Sequence, residues 1–382
     1  MLNVLNKYRC FAGLALILVA AALLPGCSGD NGNSLPFNSL SSNSLDGTGA
    51  AARFNGPYGI TSDGTNLYVA DRSNHTIRQV VISTGVVTTL AGTAGTLGTT
   101  DGTGATARFN LPSGITTDGT NLYVTDTGNH TLRKIVISTG VVTTIAGSAG
   151  ISGIIDATIG TDARFNLPSG ITTDGTNIYV ADTGNHTLRK VAISSGAVTT
   201  IAGAAGQPGV VDGIGTPTVP TKFSSPSGIT TDGTNLYLAD KGNNSIRQVV
   251  ISSAMVTTIA GPTAAPVAGA TNAGSTDGTG TVARFSSPAG IITDGTNLYV
   301  ADMGNNTLRK IVISAPHDVT TLAGAAGVSG SLDGVGTVAR FKSPYGIVSV
   351  AGNLYVTDSA NNTLRTIALD SGTVTTFAGF VK

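Results

Sequence analysis

The chain has 382 residues, of which 11% are charged, with 21 basic residues balancing 21 acidic ones, 52 Gly and no Trp. Every acidic residue is Asp, which prefers turns and strand ends, and Glu, which favours helices, is absent. This composition argues against a helical architecture and against a basic nucleic-acid surface, and it predicts an all-β chain with many turns.

In chain order, the first feature is Lys7 and Arg9 ahead of the apolar run "CFAGLALILVAAALL". The run is too short to span a bilayer comfortably and has the shape of a signal-peptide core. It ends in "LPGC", Leu24 to Cys27, which resembles a bacterial lipobox, although Pro25 is uncommon at its place in that pattern. The expectation is a signal over residues 1–26 and a lipidated thiol at Cys27. Removal of the signal takes away Lys7, Arg9 and Cys10. That leaves 19 basic and 21 acidic residues, a net charge of −2, and no partner for a disulfide. Ser28 follows the Cys, and by resemblance to sorted lipoproteins of two-membraned bacteria the expected location is the outer membrane. Residues 27–45 are rich in Ser and Asn and read as a flexible tether.

From residue 46 onward one unit repeats six times. Its anchor is Phe54, Phe109, Phe165, Phe223, Phe285 and Phe341, at spacings of 55, 56, 58, 62 and 56. A fixed period in this range marks a repeat array or a propeller. Each unit reads as "PxGITT", a "DGTN" turn, "LYVAD", a polar "GNHT" loop, "LRKIVIS", a tight "TG" turn and "VTTIAG". That is an antiparallel meander of four strands. Leu122, Tyr123 and Val124 are consecutive, so the sheet is apolar on both faces and must be covered on both. A closed ring of blades provides that cover, and the terminal units lack the polar caps a linear stack needs.

The segments "ADRSNHTIRQ", "TDTGNHTLRK", "ADTGNHTLRK", "ADKGNNSIRQ", "ADMGNNTLRK" and "TDSANNTLRT" resemble the NHL-repeat family over roughly residues 46–382, with Asn in place of the named His in the last three. The resemblance implies a six-bladed β-propeller of four-stranded antiparallel blades. It implies no single activity, because the family includes scaffolds, nucleic-acid binders and a few lyases.

The candidate chemistry is sparse. His75, His130 and His186 invite comparison with the three-His metal site of amidating lyases that share this fold. They occupy equivalent places in three neighbouring blades, roughly 10 Å or more from the axis given a strand spacing of ~4.8 Å. Zinc needs its ligands within about 2.0–2.3 Å of one point. A loop-stabilising hydrogen bond is the expected role instead. Gluconolactonase-like propellers use a Glu ligand, and none exists here. His317 is the one His outside the repeat, and no Ser is positioned with it as a nucleophile. Repeated Asp residues are read as turn caps, with calcium at the "DGTG" loops the lesser alternative. No catalytic residue, metal ligand or cofactor is assigned.

One irregularity breaks the repeat. Between the Pro and Gly that open the first strand stand Ser113, Ser169, Ser227 and Ala289 in the inner units, but Tyr58 and Tyr345 in the outermost two. Ring closure brings the outermost units together, so both aromatic rings are expected side by side at one end of the channel, as a packed seam or a binding lip. The functional expectation is an extracytoplasmic, membrane-tethered binding scaffold, monomeric, held to the membrane by its lipid alone. Its partner would be an envelope or extracellular protein, a peptide or a small ligand, with no nucleic acid. The alternative is a propeller enzyme of the lyase or hydrolase kind. Two long connections, Gly261–Asn272 and the one carrying "QPG" and "TPTVPTK", are further candidate docking elements.

Overall fold

The computed structural model describes residues 44–215, 220–264 and 272–380. Six antiparallel sheets form six blades, over residues 57–91, 112–146, 168–203, 229–260, 288–324 and 344–379. Within each blade the four strands pair in sequence order, and consecutive blades touch through their first strands, including the last with the first. The ring is therefore closed. Blade 6 takes its outer strand, Thr373–Gly379, from its own unit, and Gly47–Thr48 near the other end pairs within blade 1. Among the described residues closure is by face packing, with no strand shared between the first and last blades.

The repeat chemistry explains each element. In the first turn of blade 1, Asp63 Oδ1 accepts the N–H groups of Thr65 and Asn66 at 2.8 and 2.7 Å, while Gly64 supplies a positive φ of 91°. Asp63 Oδ2 also accepts the hydroxyl of buried Tyr68 at 2.8 Å. The same pair recurs in blades 2 to 5. Blade 6 has Val350 in place of the Asp, and its Tyr355 instead meets Phe377 edge to face at 5.2 Å.

The second strands are apolar on both faces because each is shared by two cores. Leu67 and Val69 pack with Tyr355 and Leu364 of blade 6, whereas Tyr68 and Ala70 pack with Leu122 and Val124 of blade 2. The six anchor Phe residues are buried in these inter-blade cores.

Three features exceed the sequence expectation. A short fifth strand lies on the outer strand in blades 1, 2, 5 and 6: Gly47–Thr48, Gly102–Thr103, Gly278–Thr279 and Gly334–Val335. Leu45, assigned to the tether, pairs with Arg53, so the propeller begins slightly earlier. The Asp residues that close the second strands are not turn caps. Asp71 is fully buried and binds Arg78 at 2.9 Å; the other nitrogen of that arginine binds Asp46 of the connection at 2.8 Å. Each blade repeats this Asp–Arg–Asp triad, with the arginine 5.0–5.2 Å from an anchor Phe ring. The second carboxylates are the "DGTG"-position Asp residues. Those carboxylates, Asp46 among them, also take a Thr N–H and hydroxyl, which commits them to structure rather than to a calcium shell.

Candidate functional site

The first strands line the axis. Gly59, Gly114, Gly170, Gly228, Gly290 and Gly346 let them approach closely: a Cβ at any of these would lie 1.9–2.3 Å from a carbonyl oxygen of the next blade. The resulting channel has a volume of only about 60 Å³, room for a few waters. The interior cannot hold a ligand of ordinary size, so the ends of the channel matter.

One end carries both tyrosines. The Tyr58 and Tyr345 rings stack with centroids 3.9 Å apart and planes inclined by 24°. Tyr345 is 8% exposed, and its hydroxyl lies 3.0 Å from the hydroxyls of both Ser169 and Ser227, on the far side of the ring. It thus crosses the channel and closes it. The opposite face of Tyr58 carries the Arg72 guanidinium at 4.7 Å, and Arg72 Nε donates to Ser113 at 3.3 Å. The structure therefore joins the two sequence-derived site residues in one plug. Both lie at the closing seam: Tyr345 is packed, while Tyr58 keeps an exposed portion.

Beside the plug lies a cleft of about 380 Å³ lined by Gly56, Tyr58, Met303, Ser343, Tyr345 and Ser359, among others. Its origin is legible in the loop between the second and third strands. That loop opens with Arg72, Thr127, Thr183, Lys241, Met303 or Ser359 in successive blades. Thr127, Thr183 and Ser359 donate their hydroxyls to Pro168, Pro226 and Pro57 of the next blade. Met303 has no such donor, and its thioether side chain walls the cleft instead.

The three histidines end the same loops, at φ of 59–60°. His75, His130 and His186 do not converge. Each Nδ1 accepts a backbone N–H from the next blade, of Leu111, Leu167 and Ser225 at 3.1, 3.0 and 2.9 Å. Asn244, Asn306 and Asn362 do the same with Oδ1 for Ser287, Ser343 and Gly56 at 2.8, 2.8 and 2.7 Å. Burial pushes the three imidazoles below their ordinary value, with Arg72 adding to the effect at His75. Burial pushes the second-strand carboxyls the other way, Asp71 to about 6, against the pull of Arg78. His317 lies in the turn before the outer strand of blade 5. Among the described residues no group of three or more His, Cys, Asp or Glu is placed to hold a metal ion. Cys27 and residues 265–271 of the long connection lie outside the described residues, as do residues 216–219.

Comparison with known proteins agrees with the repeat. Residues 165–191 match the NHL repeat model. The chain is 27% identical over 347 residues to NHL repeat-containing protein 2 of Gallus gallus, covering 83% of this chain and 47% of that protein. It spans about half or less of the length of the curated relatives it matches. Among solved structures, an auxiliary nutrient binding protein from Bacteroides thetaiotaomicron superposes with a TM-score of 0.56 at 15% identity, covering 85% of this chain and 69% of that one. Virginiamycin B lyase from Staphylococcus aureus gives 0.52 at 15% identity, covering 87% and 88%. At these identities the structures report the fold alone. The chain is thus a closed six-bladed β-propeller that carries an NHL repeat at residues 165–191 and resembles NHL repeat-containing proteins over most of its length.

Proposed function

We propose that the protein is an extracytoplasmic binding scaffold, anchored through a lipid on Cys27, that takes a small ligand or a peptide side chain at the Tyr58–Tyr345 mouth. The observation that carries this reading is the local loss of symmetry. The loop His, Asn and hydroxyl side chains bond the neighbouring blade along the seams of the ring. At this mouth two aromatic rings, a thioether and serine hydroxyls surround open volume. Such sites are concave, mainly apolar and furnished with a few polar groups.

The test uses the full chain with 13C-labelled Tyr and a fragment library, followed by NMR. Binding at the mouth should shift the Tyr58 and Tyr345 ring signals, and Met303→Trp, which fills the cleft, should abolish the shifts. Fragments that bind without moving those signals would place the site elsewhere, and a fragment consumed during titration would make the protein an enzyme. For the anchor, Cys27→Ala should release the protein from the membrane fraction; a variant still cleaved and still membrane-bound would refute lipidation.

A further inference from the structure

The chain has three methionines, and Met1 lies outside the described residues. The other two have different surroundings. Met255 is 37% exposed in the turn before the outer strand of blade 4 and does not line the cleft. Met303 is half-buried and walls the cleft that Tyr58 and Tyr345 also line. Its backbone is fixed on both sides. Asp302, just before it, is buried and binds Arg309 at 3.0 Å, and the Met303 carbonyl accepts the N–H of Asn306 at 3.3 Å. The loop therefore presents the thioether at one place, bordering about 380 Å³ of open volume. An accessible thioether is a common target of oxidants, which convert it to a sulfoxide.

The equivalent loop positions show what a polar atom meets here. Thr127, Thr183 and Ser359 each donate a hydroxyl to a proline carbonyl of the next blade. The corresponding residue in the blade after Met303 is Pro344. A thioether has no proton for that carbonyl, and a sulfoxide offers only an acceptor. The seam gives an oxygen on the Met303 sulfur no donor of this kind, and the open volume of the cleft is where it can stay solvated.

We infer that Met303 is an oxidation site, and that its sulfoxide turns the cleft from apolar to polar and weakens its hold on apolar ligands. The loss of affinity rests on the reading of the mouth as the binding site. The oxidant is a hydroperoxide. A lone pair of the Met303 sulfur attacks the distal oxygen, the O–O bond breaks, and the proton of the distal oxygen passes to the departing one, which leaves as water or an alcohol. Sulfur is oxidised by two electrons and the peroxide is reduced by two. A flexible apolar side chain becomes a polar, chiral one. Any apolar body that packs on it must then desolvate the new S=O group.

The test uses the full chain with 13C-labelled Tyr, treated with hydrogen peroxide. Peptide mass spectrometry follows Met255 and Met303, each of which should gain one oxygen on a similar time course. The Tyr58 and Tyr345 ring signals should shift as Met303 converts. A fragment that binds the untreated protein at those rings should bind the oxidised protein about tenfold more weakly, the size of one polar group desolvated without a partner. Met255→Leu should leave these responses intact, and Met303→Leu should remove them. Met303→Gln should bind the fragment as weakly as the oxidised protein, without peroxide. A Met303 thioether that survives while Met255 is consumed would overturn the inference, because the sulfur would then be shielded. Conversion of Met303 that leaves the ring signals unmoved would overturn it as well. Equal binding of a fragment to oxidised and untreated protein at the rings would overturn the loss of affinity. If no fragment binds the untreated protein there, the reading of the mouth falls, while a shift of the ring signals on oxidation still upholds the modification.

Discussion

The two halves of the ring are sealed by different atoms doing the same work. Between blades 1 and 2, 2 and 3, and 3 and 4 the acceptor is an imidazole Nδ1; at the other three seams it is an amide Oδ1. The backbone is alike, with φ of 59–60° at the three His and 54–58° at the three Asn. Both side chains tolerate this left-handed conformation better than most. What the position demands is a short side chain with an acceptor about two bonds past Cβ, and both supply it. The seam acceptors differ in one property: an imidazole loses its acceptor when protonated, and an amide does not titrate.

The largest effect tests what the halves share. Arg133 in the His half and Arg309 in the Asn half are both buried between two carboxylates. Replacing either by Ala leaves a buried carboxylate unpaired and should cost about 3–5 kcal/mol, measured by urea unfolding. Equal losses would show that the triads are indifferent to the seam acceptor. A loss much larger in one half would mean that the seams set local stability.

The next effect concerns the closing seam, which lies in the Asn half. Replacing Tyr58 and Tyr345 with Ser restores the side chain found in blades 2 to 4 at this place. It removes the stack and the contacts across the channel, and it should cost about 3 kcal/mol by analogy with large-to-small core changes. Tyr345→Phe keeps the ring and strands the hydroxyls of Ser169 and Ser227, for about 1 kcal/mol. A double Ser variant that melts with the wild type would show that the stack belongs to binding alone.

The difference between the halves is itself testable by pH. The folded pKa of each His lies below its ordinary value of 6.5. Between that value and the lower folded one, the unfolded chain binds more protons. Stability is therefore full above about pH 6.5 and declines as pH falls through that window, levelling below the folded pKa. The buried Asp carboxyls act oppositely, because a folded pKa of about 6 against 3.8 favours the folded state as pH falls between those values. Replacing His75, His130 and His186 with Asn leaves the carboxyls in place. The triple variant should lose less stability than the wild type on acidification from pH 7.5 to about 5.5. Parallel curves would show that the seam imidazoles do not titrate with folding.

The period of the anchor Phe was enough to place six blades and, through closure, to put Tyr58 beside Tyr345. The partners that cross the ring were hidden. Tyr345 finds hydroxyls 176 and 118 residues away, and no local pattern carries that information. The Asp–Arg ion pair at a spacing of seven was visible as a repeat within "LYVAD…LRK", but its burial follows only once neighbouring blades cover the sheet. The His residues were read as local loop bonds; they act between blades because the loop of one blade leans on the first-strand approach of the next. Met303 and Arg72 stood in the most variable place of the motif, where variation looked like noise until the ring put Met303 on the wall of the cleft and Arg72 on the Tyr58 ring.

The smallest effect isolates a defect of the Asn half. In the tight turn before the outer strand, blades 1, 2, 3 and 6 carry Gly85, Gly140, Gly196 and Gly372 at φ of 67–74°. Blade 4 carries Ala254 at 56°, a left-handed conformation that its Cβ resists. The space is not the obstacle, since a Cβ at Gly85 or Gly372 would meet nothing closer than 3.7 Å. Ala254→Gly should relieve about 1–2 kcal/mol of strain and lose about 0.5–1 kcal/mol to the freer unfolded chain, for a net gain of roughly 0.5–1 kcal/mol. Gly85→Ala in the His half should lose the same amount. The pair forms a reciprocal test with a shared readout in the denaturant midpoint. If Ala254→Gly lowers the midpoint, the turn of blade 4 is held by contacts of Ala254 rather than strained by its backbone, and the two halves differ in more than their seam acceptors.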